Sequence, residues 1–103
     1  MPSWRTIEPM FVGTCIITLE LDGVRSLKEK RSIVKSIIAR LQREFNLSVA
    51  EVDSQDAWGT AVIGLAAVGN DKAHLHRTLE KSVTWVETYR PDAPIASYSI
   101  EFL

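Results

Sequence analysis

A chain of 103 residues, 46% hydrophobic and 24% charged, has the size and balance of one globular domain, which excludes a fibrous or wholly disordered chain. A single cysteine, Cys15, excludes an internal disulfide framework and a cysteine-rich zinc site, and fits a reducing cytoplasm. The net charge of -1 excludes a uniformly basic coat for nucleic acid.

Residues 1–9, with two prolines and no periodicity, read as a flexible extension ahead of one domain over 10–103. They lack the apolar stretch of a signal peptide. The longest apolar run, Ala61–Val68, is far short of the ~20 residues that span a bilayer, so no membrane partner is expected. From Phe11 to Asp22 apolar residues alternate (Phe11, Cys15, Ile17, Leu19 and Leu21 on one parity), which predicts a strand with one strongly apolar face. Gly23 ends it.

Ser26 and Glu29 then form an S-x-x-E capping box, in which Ser26 caps the Glu29 amide and Glu29 reaches back. Behind it Leu27, Val34, Ile37, Ile38, Leu41 and Phe45 recur at helical spacing, an amphipathic helix of about five turns that stops near Asn46. Leu47–Gln55 reads as a modest strand at a sheet edge, with Glu51 and Asp53 on one face. Asp56–Gly59 supplies a turn. Thr60–Val68, apolar on both faces, suits a central strand. Asn70 and Asp71 offer a second N-cap, and Leu75, Leu79, Val83 and Val86 mark a helix to about Tyr89, ended by Pro91 and Pro94. Ile95–Leu103 closes as a half-buried strand with Ala96, Tyr98, Ile100 and Phe102 on its apolar face. The order β-α-β-β-α-β predicts an α+β, ferredoxin-like sandwich, a four-stranded antiparallel sheet with both helices on one face.

Two segments carry a resemblance. Arg25–Arg31 (RSLKEKR) ahead of an amphipathic helix, and Val49–Trp58 (VAEVDSQDAW) ahead of an apolar strand that ends near Asn70 and Asp71, together resemble the YlxP-like family of small bacterial ferredoxin-like proteins. The resemblance covers roughly residues 10–103. It implies the same fold but no activity or cofactor, and places genes of this kind among those for transcription and translation factors.

Charge is unevenly spread. Between Gly23 and Phe45 stand seven basic and two acidic residues, a local balance of +5, which leaves -6 for the rest. Three of these cations crowd the start of the first helix, where the macrodipole makes a cation cost roughly 0.3–1 kcal/mol; with their basic neighbours the set is Arg25, Lys28, Lys30, Arg31 and Lys35. Cations at a helix N-terminus suit an anion, so these five are the candidate phosphate-binding residues, and structured RNA or a ribosomal assembly is the expected partner. The competing reading is a solvated face paired with the acidic remainder.

Glu51, Asp53 and Asp56 form an acidic group, but strand geometry sets Glu51 and Asp53 ~6–7 Å apart, too wide for shared coordination without a third element. With Trp58, which reads first as a packing anchor between turn and helix, they are candidate partner contacts. Neither a catalytic residue nor a metal ligand nor a cofactor site is predicted. Cys15 reads as an inert buried thiol. His74 and His76, two apart on a helix, cannot share an ion. The open sheet face, with Val12, Ile16 and half of the Val62–Val68 strand, is too apolar to stay wet and predicts a homodimer through that face or through an edge strand. The expected function is thus a non-enzymatic cytoplasmic binding module for RNA. A homodimeric protein-interaction module without nucleic acid is the first alternative. A metal- or small-ligand-dependent enzyme using the acidic turn is the second.

Overall fold

The alternation that begins at Phe11 becomes the central strand of the sheet. In the computed structural model, which describes residues 9–103, the elements are β1 (Phe11–Glu20), α1 (Leu27–Glu44), β2 (Ser48–Asp53), β3 (Thr60–Gly69), α2 (Lys72–Tyr89) and β4 (Ile95–Phe102). The sheet order is β2-β3-β1-β4 with every neighbouring pair antiparallel. The fold is the ferredoxin-like α+β sandwich. The flexible extension expected over residues 1–9 lies outside the described residues except for Pro9, which is exposed and precedes β1.

Period-two patterning decides which way β1 and β3 face. Cys15, Ile17 and Leu19 alternate with Ile16 and Thr18, and Ile63, Leu65 and Ala67 alternate with Gly64 and Ala66; the first set of each is buried under the helices. The stripes of α1 (Val34, Ile37, Leu41) and α2 (Leu75, Leu79, Val83, Val86) close over them in one core. Gly13 lies close under α2: a Cβ there would stand 3.1 Å from both Leu79 Cδ1 and a Phe102 ring carbon.

Both helix starts are capped by short polar side chains. Ser26 Oγ accepts from the Glu29 amide at 3.1 Å, and Asp71 Oδ1 accepts from the His74 amide at 3.1 Å. The return arm of the capping box differs from expectation. The Glu29 carboxylate accepts from the Arg25 amide at 3.2 Å, one residue ahead of the cap, and so pins the chain entering α1.

β4 is more exposed than its pattern predicts. It lies at the edge beyond β1, and a register shift opposite Thr18 and Leu19 accompanies the change. Ala96 is exposed, and Tyr98 remains 43% exposed with its hydroxyl donating to Glu80 Oε2 at 2.9 Å. β2 holds the other edge, broken by a shift between Glu51 and Asp53 that limits further pairing there.

Candidate anion-binding surface at the start of the first helix

Three backbone contacts gather the loops at one end of the sheet. The Leu21 amide donates to Gly59 O at 2.9 Å, the Glu20 amide to Pro94 O at 2.9 Å, and the Val24 amide to Leu21 O at 3.1 Å. The β2–β3 loop, 54–59, therefore lies against the segment that leads into α1. Its grip on the helix is Lys30. That side chain is fully buried, donates to the Ser54 carbonyl and stands 3.0 Å from Glu51 Oε2. The approach to Glu51 is ionic without hydrogen-bond alignment, which leaves the buried Oε2 with no donor of its own. Ser54 takes a left-handed backbone, φ 59°, and its amide donates to Asp53 Oδ1 at 2.7 Å.

This tie splits the five predicted phosphate ligands. Arg25, Lys28, Arg31 and Lys35 are exposed, and among the described residues none of the four enters an ion pair. Lys30 must be removed from the set, because a fully buried ammonium held by Ser54 and Glu51 cannot reach a ligand. Its place in the fold is to lock the two segments that carry the family resemblance.

The acidic group divides as well. Glu51 faces inward to Lys30, Asp53 accepts from the next amide, and Asp56 is exposed. Among the described residues no three of His, Cys, Asp and Glu are placed to hold a metal ion. Trp58 is 53% exposed, so it is not the packing anchor considered above; it stands free on the loop next to Gly59.

Sequence reasoning missed Lys30, although a signal was present. Leu27, Lys30, Val34, Ile37 and Leu41 follow the three- and four-residue steps of the apolar stripe, and Lys30 fills the gap between Leu27 and Val34. Glu51 sits on the inward parity of β2 with Val49. A cation in a helix stripe and an acid on the facing strand parity mark a buried pair.

Other candidates have structural roles. Cys15 is buried, and burial together with the Glu80 charge pushes its thiol from 9.0 up to about 11, away from nucleophilic use. His76 lies 3.8 Å from Glu80 and stacks on Phe102, while the His74 amide receives the cap. Trp85 stacks on Tyr89 at 4.8 Å, and the Tyr89 hydroxyl shares a 2.7 Å hydrogen bond with Ser36. Beside Trp85 an open hollow of about 510 Å³ exposes Lys81 and two threonines, and its acid, Glu80, is already bonded to Tyr98. No described helix is long and apolar enough to cross a membrane.

Residues 12–100 match the family described as "Protein of unknown function (DUF503)". The chain belongs to this family. It is 34% identical over 64 residues to "Uncharacterized protein YlxP" of Bacillus subtilis (strain 168), an alignment covering 62% of this chain and 70% of that one. Among solved structures, the de novo designed protein Foldit4 matches with a TM-score of 0.51 at 13% identity, covering 92% of this chain and 97% of its own. A variant of SnoaB, a cofactor-independent oxygenase from Streptomyces nogalater, matches with a TM-score of 0.50 at 14% identity, covering 89% and 90%. At such identities these two likenesses speak for the fold alone.

Proposed function

We propose that this member of the family is a binding module that meets the phosphate backbone of a structured RNA, free or in a ribosomal assembly, at the start of α1. The observation that carries this reading is the set of four exposed cations, Arg25, Lys28, Arg31 and Lys35, without ion-pair partners among the described residues. A face evolved only to be wetted gains nothing from cations at the positive end of a helix dipole, whereas an anion there meets both the dipole and the side-chain charge. The competing expectation, that these cations are neutralised by the acidic remainder, finds support only at Lys30, which lies inside.

Trp58, free on the adjoining loop, adds an aromatic surface on which an unpaired base could stack. Backbone contacts of this kind carry affinity without sequence information and weaken as salt rises. Binding of structured RNA measured across a salt series is the test. A Lys28→Glu, Arg31→Glu double variant should flatten the log–log salt slope by about 2, one for each lost phosphate contact. Affinity that is indifferent to salt, or unaltered by the double reversal, would defeat the proposal and favour recognition of a protein partner.

A further inference from the structure

The geometry points to a second copy of this chain as the occupant of the open sheet face, packed face to face through Val12, Ile16, Val52, Val62 and Val68.

Cross-strand register lays that face out in rows. Val68 pairs with Val12, Ala66 with Thr14, Gly64 with Ile16 and Val62 with Thr18. β2 extends these rows on one side with Ser48 opposite Ala66 and Ala50 opposite Gly64, and β4 on the other with Ser99 opposite Ile16 and Ser97 opposite Thr18. No lysine, arginine or aromatic residue stands in these rows. Glu101 enters at the β4 edge and Glu20 at the end of β1. A polyphosphate or an anionic lipid surface finds no cation here, and a base finds no stacking partner.

Relief argues for a copy of the same face. Ile16, Val52 and Val68 stand up from the sheet at 41%, 49% and 63% exposure. Gly64 and its small neighbours Ala50 and Ala66 leave a trough of about 290 Å³ between Ile16 and Val52. The trough depends on glycine: a Cβ at position 64 would stand 2.8 Å from Val52 Cγ1. Ridge and trough lie side by side on one surface, the self-complementarity that a two-fold interface requires.

The area is sufficient. Strands about 4.8 Å apart and roughly 28 Å long give a four-stranded face on the order of 550 Å² per copy. Two copies would bury about 1,100 Å², just above the roughly 1,000 Å² expected of a specific interface. Stacked sheets of this kind pack about 10 Å apart, close enough for Ile16 of one copy to enter the trough of the other. The helices, with Arg25, Lys28, Arg31 and Lys35, remain outside on both copies, so this inference is independent of the proposed RNA contact.

Light scattering on the size-fractionated chain tests it. The expected mass is twice 11.5 kDa near 100 μM, falling toward the monomer near 1 μM, as for a small interface. Ile16→Glu should weaken the dimer by at least about 100-fold, because its carboxylate would be desolvated without a partner. Ile16 lies on a central strand, so Val68→Glu, at the more exposed end of β3, serves as the second variant, and melting curves establish that each is folded. A folded monomer in either variant supports the interface. A wild-type monomer at several hundred micromolar overturns it. So does a dimer that survives in both folded variants, which would assign the association to a strand edge.

Discussion

Lys28 and Lys30 are two residues apart on one helix and have opposite fates. Lys28 points to solvent among Arg25, Arg31 and Lys35 with no ion-pair partner among the described residues; Lys30 is fully buried against Glu51 and Ser54. Two residues advance a helix by about 200°, which is enough to carry a side chain from the wet flank to the apolar stripe. A charge count treats the two alike. Their energetics do not: an exposed ammonium costs little and contributes little to the fold, whereas a buried one is tolerable only while its partners remain. The inward lysine is thus a structural group and the outward cations are free to serve a ligand.

Truncation should separate them most sharply. Lys30→Ala strands the Glu51 carboxylate and leaves the Ser54 carbonyl to the Ala57 amide, and is expected to cost about 3–5 kcal/mol of unfolding free energy. Lys28→Ala should stay within about 0.5 kcal/mol of the parent. Denaturant titrations of the two variants make the comparison directly. Equal, small effects would mean that the Lys30 pair contributes no more than a surface contact. A Lys30→Met, Glu51→Met double variant should recover most of the loss, since two apolar chains of similar length leave no buried charge behind.

The same contrast shows how far the sequence could be read. The order of elements, the sheet-edge position of β2 and the caps at Ser26 and Asp71 are local patterns, and each is found where the pattern predicts it. What could not be read locally depends on contacts between distant segments. The fate of Lys30 rests on Glu51, and that of Trp58 on how the loop 54–59 lies against the segment before α1. The exposure of Tyr98 and Ala96 follows from β4 standing at the edge with a shifted register, which no count of alternating residues reveals. Lys30 is the exception that could have been found, because its step along the stripe was legible and only its charge argued for the surface.

Cys15 provides a reporter on the inward side of this comparison. With the thiol raised from 9.0 to about 11, chiefly by burial and then by Glu80, the folded state favours the protonated group. Its contribution to stability is therefore complete below pH 9 and is lost as pH rises from about 9 through about 11. Tyr98, raised by its hydrogen bond to Glu80 and by the same charge, acts in the same direction. Unfolding midpoints should accordingly fall on alkaline titration, and a Cys15→Ala variant should fall less steeply. At neutral pH a thiol reagent should label Cys15 only through opening of the fold, so Lys30→Ala should accelerate labelling while Lys28→Ala leaves it unchanged.

The smallest expected effect concerns the loop that Lys30 holds. Ser54 is the one non-glycine residue with positive φ among those described, and a left-handed conformation costs an L-residue roughly 1–2 kcal/mol. That conformation coincides with the placement of its carbonyl on the Lys30 ammonium and of its amide on Asp53 Oδ1. Glycine adopts the same angles without the Cβ penalty but has more freedom to lose on folding. Ser54→Gly removes no bond the lysine uses, since both groups are backbone. The balance should be a gain of up to about 1 kcal/mol, read as a higher denaturation midpoint with an unchanged slope. In a Lys30→Ala background the carbonyl no longer has a cation to face, and the left-handed turn is then held by Asp53 and by the Ala57 amide, which donates to the Ser54 carbonyl at 3.0 Å. The gain from glycine should shrink there as the loop relaxes to other conformations in either sequence. An equal gain in both backgrounds would mean that the lysine grips a turn already fixed by Asp53 and the Ala57 amide, and does not set it.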